Sequence, residues 1–213
     1  MDKVYTILIG DDHAVVRRGL RQIFEETAEF RVIGEAANGF EVLDFVRNHN
    51  VDLVVLDISM PGKNGLDVLK QLKQEFPHIP VLILSIYGED QYAIRVLKAG
   101  ASGFLSKETA PEQLITAARQ IVSGRKYISE ALAEKLAANL NNPAVHHPHE
   151  LLSDREYQVL CLIASGKTVS EIAEELNLSV KTVSTYRSRL LMKMGFKNNA
   201  ELTHYAVKNG LVS

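Results

Sequence analysis

Five short apolar runs, each followed by a stretch of helical period, fill the first 121 residues and limit what this chain can fold into. The runs are Val4–Ile9, Arg31–Ala36, Leu53–Leu56, Val81–Leu84 and Gly103–Leu105. The helical stretches are Ala14–Glu26, Phe40–His49, Gly65–Phe76, Asp90–Ala99 and Pro111–Ser123. A run such as Leu53–Leu56, with no polar alternation, predicts a strand buried on both faces. Strands alternating with helices predict a five-stranded parallel sheet covered on both sides, and right-handed crossovers leave the doubly wound forms. No GxGxxG follows the first strand, which argues against a dinucleotide-binding version.

The third strand poses a chemical question. In VDLVVLDISMPGKNG, residues 51–65, the apolar run ends in Asp57 and then in a Met-Pro-Gly turn. A carboxylate there is costly unless water, a hydrogen bond or a charge meets it. All strands of a doubly wound sheet end on one edge, where ligands bind. Asp11 and Asp12 stand just past the first strand, Asp57 past the third, Ser85 past the fourth and Lys107 past the fifth. Three carboxylates gathered at one edge repel, and raised pKa values or a bound divalent cation resolve the conflict. Mg2+ suits a few carboxylate oxygens while keeping several waters. A carboxylate beside such an ion can attack phosphorus. Lys107 supplies a cation for the resulting phosphate and Ser85 a hydroxyl donor. Each residue alone reads as a polar strand end facing water, with Asp12 as a helix cap. Five at matching strand ends weigh against that.

These residues carry a family resemblance. DDH at 11–13, LDISMPG at 56–62, LS at 84–85 and GASGFLSK at 100–107 resemble the receiver domain of bacterial response regulators, over residues 4 to 121. The resemblance implies a flavodoxin-like sheet of strand order 2-1-3-4-5. It implies Asp57 as phospho-acceptor, charged by a sensor histidine kinase. Asp12 would bind Mg2+ directly, Asp11 largely through a water, and the Ser59 backbone carbonyl would complete the metal site with Asp57. Lys107 would pair with the phosphoryl group. Ser85 and Phe104 match the hydroxyl and aromatic switch positions, where Thr and Tyr are common. His13 reads as a helix-start residue.

The last 63 residues carry helix signals alone. Helices are expected at Asp154–Ser165, Val169–Leu176, Val180–Met194 and Asn198–Asn209. Ser153 with Glu156 and Thr168 with Glu171 form capping boxes, and Gly166 and Gly195 stand where helices should stop. Asn177–Leu178–Ser179 alone separates the second and third helices, a helix-turn-helix spacing. VKTVSTYRSRLLMKM, residues 180–194, holds Lys181, Arg187, Arg189 and Lys193 and no acid. Val183, Leu190, Leu191 and Met194 can face a core while the basic face enters a major groove. Charge alone would equally suit a solvated face; the tight turn favours DNA. The segment resembles the LuxR-type helix-turn-helix of the NarL/FixJ subfamily. By motif position Ser184, Thr185 and Ser188 would face base edges, with Lys181, Thr182 and Arg187 on the DNA backbone.

The expected organisation is therefore a receiver over 1–123, a helix and linker over 124–150, and an all-α DNA-binding domain over 151–213. Ser129–Leu140 reads as a helix and NNPAVHHPHE, 141–150, as a solvated tether rather than a metal site, despite His146, His147 and His149. The composition, 46% apolar and 23% charged, supports packed cores. Residues 1–121 hold 13 Lys/Arg against 17 Asp/Glu, and residues 151–213 hold 8 against 6. No run of 18 apolar residues suggests a membrane span. The first residues lack the pattern of a signal peptide, and the single cysteine, Cys161, fits a reducing cytoplasm and a core position. The expected function is Mg-dependent phosphorylation at Asp57 controlling sequence-specific DNA binding by a dimer, with half-sites roughly 34 Å apart and RNA polymerase as a further partner. Labelling by small phosphodonors and self-dephosphorylation are expected, in a regulator rather than an enzyme. The rival is a Mg-dependent phosphohydrolase working through an aspartyl phosphate. It would want a second acid two residues past Asp57, where Ser59 stands, and a cap insertion, which the sequence lacks.

Overall fold

Each apolar run becomes a strand and each helical stretch a helix. The computed structural model describes residues 3–86, 89–129, 132–134 and 147–212, with 89–91 described by backbone alone. In order these form β1 (Tyr5–Gly10), α1 (Ala14–Glu25), β2 (Phe30–Ala36), α2 (Gly39–Asn48), β3 (Leu53–Asp57), α3 (Gly65–Glu75), β4 (Val81–Ser85), α4 (Glu89–Lys98), β5 (Gly103–Ser106) and α5 (Pro111–Val122). The sheet is parallel throughout and ordered β2-β1-β3-β4-β5.

Alternation along the strands divides the core into two layers. Ile7, Ile9, Leu53, Val55, Leu82, Leu84 and Leu105 meet Leu20 and Phe24 of α1 and Leu114, Ala118 and Ile121 of α5. Leu8, Val54, Leu56 and Ile83 point the other way, and every one is fully buried. Val42 of α2 and Leu66, Leu69 and Leu72 of α3 are buried as well.

Register places the strand ends. Gly10 pairs with Leu56, so Asp11 and Asp57 follow side by side on adjacent strands. Ser85 pairs with Ser106, so Lys107 comes next, and its N–H donates to the Ser85 carbonyl at 2.8 Å. Gly65 opens α3 against the end of β3. Its N–H donates to the Ile58 carbonyl at 2.9 Å, and a Cβ there would lie 1.9 Å from the Asp57 carbonyl oxygen. The buried Asn64 caps the same helix, accepting from the Asp67 N–H at 2.8 Å.

Contacts divide the chain into two units, Met1–Glu130 and Ala131–Ser213. The first continues past residue 123, because the Tyr127 N–H donates to the Ser102 carbonyl at 2.9 Å. The helix expected over Ser129–Leu140 lies mostly outside the described residues; 132–134 are helical. Of the tether at 141–150, 147–150 are described, and Pro148–Leu151 is a short 3-10 turn. His146 lies outside them.

The second unit holds α6 (Asp154–Ala164), α7 (Val169–Glu175), α8 (Val180–Met194) and α9 (Asn199–Lys208). Both capping boxes form reciprocally, at Ser153/Glu156 and Thr168/Glu171. Ser179 caps α8, and Gly195 ends it in the left-handed region at φ 69°. Asn177 takes the turn at φ 51°, a conformation that Asn tolerates better than most residues. Val159, Leu160, Ile172, Val183, Leu190 and Leu202 form the buried centre, beside Cys161.

Candidate functional site

The carboxyl edge of the sheet gathers acids that are far apart in sequence. One ligand atom from each of Asp11, Asp12, His13 and Asp57 lies within 4.8 Å of the others. Lys107 reaches in from beyond β5, its Nζ 2.6 Å from Asp11 Oδ2 and 2.9 Å from Asp57 Oδ2. Both contacts are ion pairs with buried carboxylates. Asp12 Oδ1 and both Asp57 oxygens are buried as well. One lysine thus serves two buried carboxylates, and three acids share the site.

The electrostatics record this imbalance. Burial pushes the Asp57 carboxyl above its ordinary range. The Lys107 charge and a backbone hydrogen bond from Ser59 pull it down, Asp11 pushes it up, and the upward effects win. For Lys107, burial disfavours the charge, but Asp57 and Asp11 outweigh it and raise its pKa. Buried carboxylate oxygens gathered within 4.8 Å of one another are the donor set a hard divalent cation takes.

The flanking residues are placed around this cluster. Ser85 and Phe104 are wholly buried, at the end of β4 and within β5. Arg17 donates to the Asp11 carbonyl at 2.8 Å. His13 is the N-cap of α1, but its side chain makes no cap bond. Instead its Nδ1 lies 2.7 Å from Asp12 Oδ1 and 3.3 Å from Asp11 Oδ1. The sequence reading gave it only a helix-start role; its adjacency to two acids in DDH was the signal that could have placed it here. Gly65, which lets α3 approach Asp57, had no signal beyond its place at a helix start.

In the second unit, α8 turns Lys181, Thr185, Ser188 and Arg189 outward, while Thr182, Ser184 and Arg187 are half-buried. The Thr185 and Ser188 hydroxyls donate to the carbonyls of Lys181 and Ser184, at 2.9 Å each. Thr182 shares the cap with Ser179. Arg187 Nε donates to Asn199 Oδ1 at 2.6 Å, tying α8 to α9. Lys193 belongs less to the basic face than its spacing suggested: its Nζ lies 2.6 Å from Glu156 Oε2 on α6. Leu191 is half-buried, whereas Val183, Leu190 and Met194 are buried.

Comparison with known proteins agrees with both units. Residues 7–119 match the response regulator receiver domain, and residues 150–206 match the bacterial regulatory proteins of the luxR family. Response regulator UvrY of Escherichia coli K12 is 37% identical over 206 residues, covering 96% of this chain and 94% of its own. The oxygen regulatory protein NreC of Staphylococcus epidermidis is 36% identical over 214 residues, covering 97% of this chain and 98% of its own. A structure of the RcsB response regulator of Salmonella typhimurium superposes with a TM-score of 0.69 at 27% identity, covering 98% of this chain and 99% of that one. A second, RcsB bound to promoter rprA in the presence of phosphomimetic BeF3-, gives 0.64 at 27% identity, covering 95% and 98%. The chain belongs to the response regulators of the NarL/FixJ subfamily, a receiver domain followed by a LuxR-type DNA-binding domain.

Proposed function

We propose that Asp57 accepts a phosphoryl group, with Mg2+, and that this controls DNA binding by the C-terminal helices. The observation that carries the reading is the convergence of Asp11, Asp12 and Asp57 with Lys107 at one sheet edge. Asp11, Asp12, Asp57 and the Ser59 carbonyl would hold the ion. Bound there, it would neutralise phosphoryl charge and hold the group in line. A carboxylate oxygen of Asp57 forms the new bond to phosphorus as the donor's phosphorus–nitrogen bond breaks, and the donor imidazole keeps the electron pair. The donor is a phosphohistidine on a sensor histidine kinase.

Lys107 then follows the new charge. It already spans Asp11 and Asp57, and a dianionic group on Asp57 outbids Asp11 for its ammonium. Because the Lys107 N–H is bonded to the Ser85 carbonyl, moving Lys107 pulls on the ends of β4 and β5 together. The Ser85 hydroxyl turns toward the phosphoryl oxygens, and the packing around buried Phe104 adjusts. The result is a shift between two packings rather than a new fold.

On the DNA, Lys181 and Arg187 neutralise phosphates and Thr182 assists. Ser184, Thr185 and Ser188 face the bases. With their protons directed to helix carbonyls, the Thr185 and Ser188 oxygens meet a groove as acceptors. They suit the amino groups of adenine or cytosine. RcsB complexes with DNA support the duplex as ligand. A homodimer on paired half-sites, a cytoplasmic location and contact with RNA polymerase complete the reading. Among the described residues no helix is long and apolar enough to cross a membrane.

The deciding experiment is phosphoryl uptake from radiolabelled acetyl phosphate with Mg2+. Asp57→Ala abolishes labelling; undiminished labelling moves the acceptor elsewhere. Lys107→Ala still takes up label but loses the gain in DNA affinity. Normal coupling in that variant removes Lys107 from the switch.

A further inference from the structure

The opposite end of the sheet, where the strands begin, holds a second concentration of charge. A cleft of about 400 Å³ there is lined by Lys3, Asp52, Lys73, Ser102, Arg125 and Lys126. Among its described lining residues the one carboxylate is Asp52, which Lys3 already meets at 2.9 Å. Four cations therefore converge on one concavity in a domain that is acidic as a whole.

Lys73 is built into this cleft rather than laid over it. It stands in the last turn of α3, and its ammonium donates to the Ile79 carbonyl at 2.5 Å. Its stem runs along Gly100, where a Cβ would come within 3.1 Å of Lys73 Cγ. Half-burial, and then repulsion from Lys126, hold its pKa below the ordinary lysine value. Arg125 is oriented by the Ser123 hydroxyl, 3.3 Å from its Nε. Carbonyls at helix C-termini attract cations within one turn. That accounts for a lysine on α3, not for four cations facing one space.

An anion relieves this repulsion and takes up the lysine and guanidinium donors left facing the cleft. The volume is that of a small-molecule site. A DNA duplex is a poor match, because its phosphates cannot enter a cleft to reach a half-buried ammonium. We propose that this cleft binds a small polyphosphate, a diphosphate group free or carried on a nucleoside, with Lys73 at its base and Arg125 and Lys126 at its rim. The site is independent of the chemistry assigned to Asp57.

Isothermal titration of the full chain in EDTA tests it, using inorganic pyrophosphate, orthophosphate and the nucleoside diphosphates ADP and GDP in parallel. Saturable binding is expected, with pyrophosphate at least about tenfold tighter than orthophosphate. K73M and the exposed pair R125A/K126A each weaken it by about tenfold or more. Labelling from acetyl phosphate stays at the wild-type rate in both. A nucleoside diphosphate tighter than pyrophosphate identifies a nucleotide as the source; equal affinities identify the free diphosphate. No saturation at millimolar pyrophosphate overturns the proposal, as does unchanged affinity in R125A/K126A, which decides alone if K73M fails to fold. Displacement of pyrophosphate by duplex DNA also overturns it, and makes these cations an extension of the DNA surface.

Discussion

Asp57 at the end of β3 and Glu156 at the start of α6 are both buried carboxylates beside a lysine, yet their pKa values move in opposite directions. Burial acts against the charge of each. For Glu156, the Lys193 ion pair and the Ser153 backbone and hydroxyl bonds outweigh burial, and the pKa falls. For Asp57, Lys107 is shared with Asp11, whose charge adds to the burial cost, and the pKa rises. The difference is one of stoichiometry. Glu156 has a lysine and a helix cap to itself, which makes it part of the fold. Asp57 competes for one cation, which leaves it poised for a ligand that brings more positive charge.

The two sites are also built differently, and the largest predicted effect exploits that. Glu156 is held at the cap by Ser153, three residues away, and by Lys193 of α8; Asp57 is held by strand register and by the approach of α3 through Gly65. A Cβ at Gly65 would meet backbone, 1.9 Å from the Asp57 carbonyl oxygen and 2.8 Å from Ile58 Cα. No rotamer change relieves a clash with backbone. Gly65→Ala therefore costs about 3 kcal/mol of receiver stability, at the upper end of overpacking. Hydrogen exchange on the full chain measures it: β1, β3 and β4 amides lose protection while α6 to α8 keep theirs. A loss below about 1 kcal/mol means α3 can retreat without strain, and the strand-end site is less constrained than Glu156.

This contrast explains what the sequence could reveal. Both capping boxes and the extent of α8, Val180–Met194, were readable because their signals lie within a few residues. The strands and the acids that end them were readable from apolar runs, so the fold followed with its element boundaries within about two residues. Which strand lies beside which was not a matter of local pattern; the order came from resemblance. The ties of Arg187 to Asn199 and Lys193 to Glu156 were illegible. Each joins helices whose packing angle no local pattern specifies, and so one member of the basic face, Lys193, is spent on an ion pair with Glu156. The cleft around Lys73 escaped for the same reason, since its cations come from just before β1, from α3 and from just beyond α5.

Removing the cap tests the other side of the comparison at a smaller scale. Ser153 accepts from the Glu156 N–H, and Glu156 accepts from the Ser153 N–H at 2.8 Å. Ser153→Ala leaves one buried donor unmet and loosens the carboxylate that Lys193 holds. The expected cost is about 1.5 kcal/mol, confined to the C-terminal unit and read as a lower urea midpoint for its transition. A cost shared equally by the receiver would mean that the two units unfold together and that the cap is not a local device.

The smallest effect has the opposite sign. The folded-state pKa of Asp57 stands above its unfolded value, so the folded chain holds that proton more tightly. As pH rises above about 4, the unfolded chain releases the proton first and stability falls. The fall ends once the raised folded-state pKa is passed, and above it the buried charge is a constant cost. Asp57→Asn removes that slope and leaves Lys107 paired with Asp11. In EDTA at neutral pH the variant should gain about 1 kcal/mol, seen as a higher urea midpoint. Excess Mg2+ should narrow or reverse the gap, because in the proposed metal site the wild type would hold the ion with one more carboxylate. Glu156 gives the contrary pattern: its stability is present above the unfolded pKa and is lost as pH falls through the lowered folded value. If Asp57→Asn instead lowers the midpoint in EDTA, Lys107 more than repays the burial of Asp57. The two acids would then be the same kind of structural pair, and Asp57 would not be poised for a further positive charge.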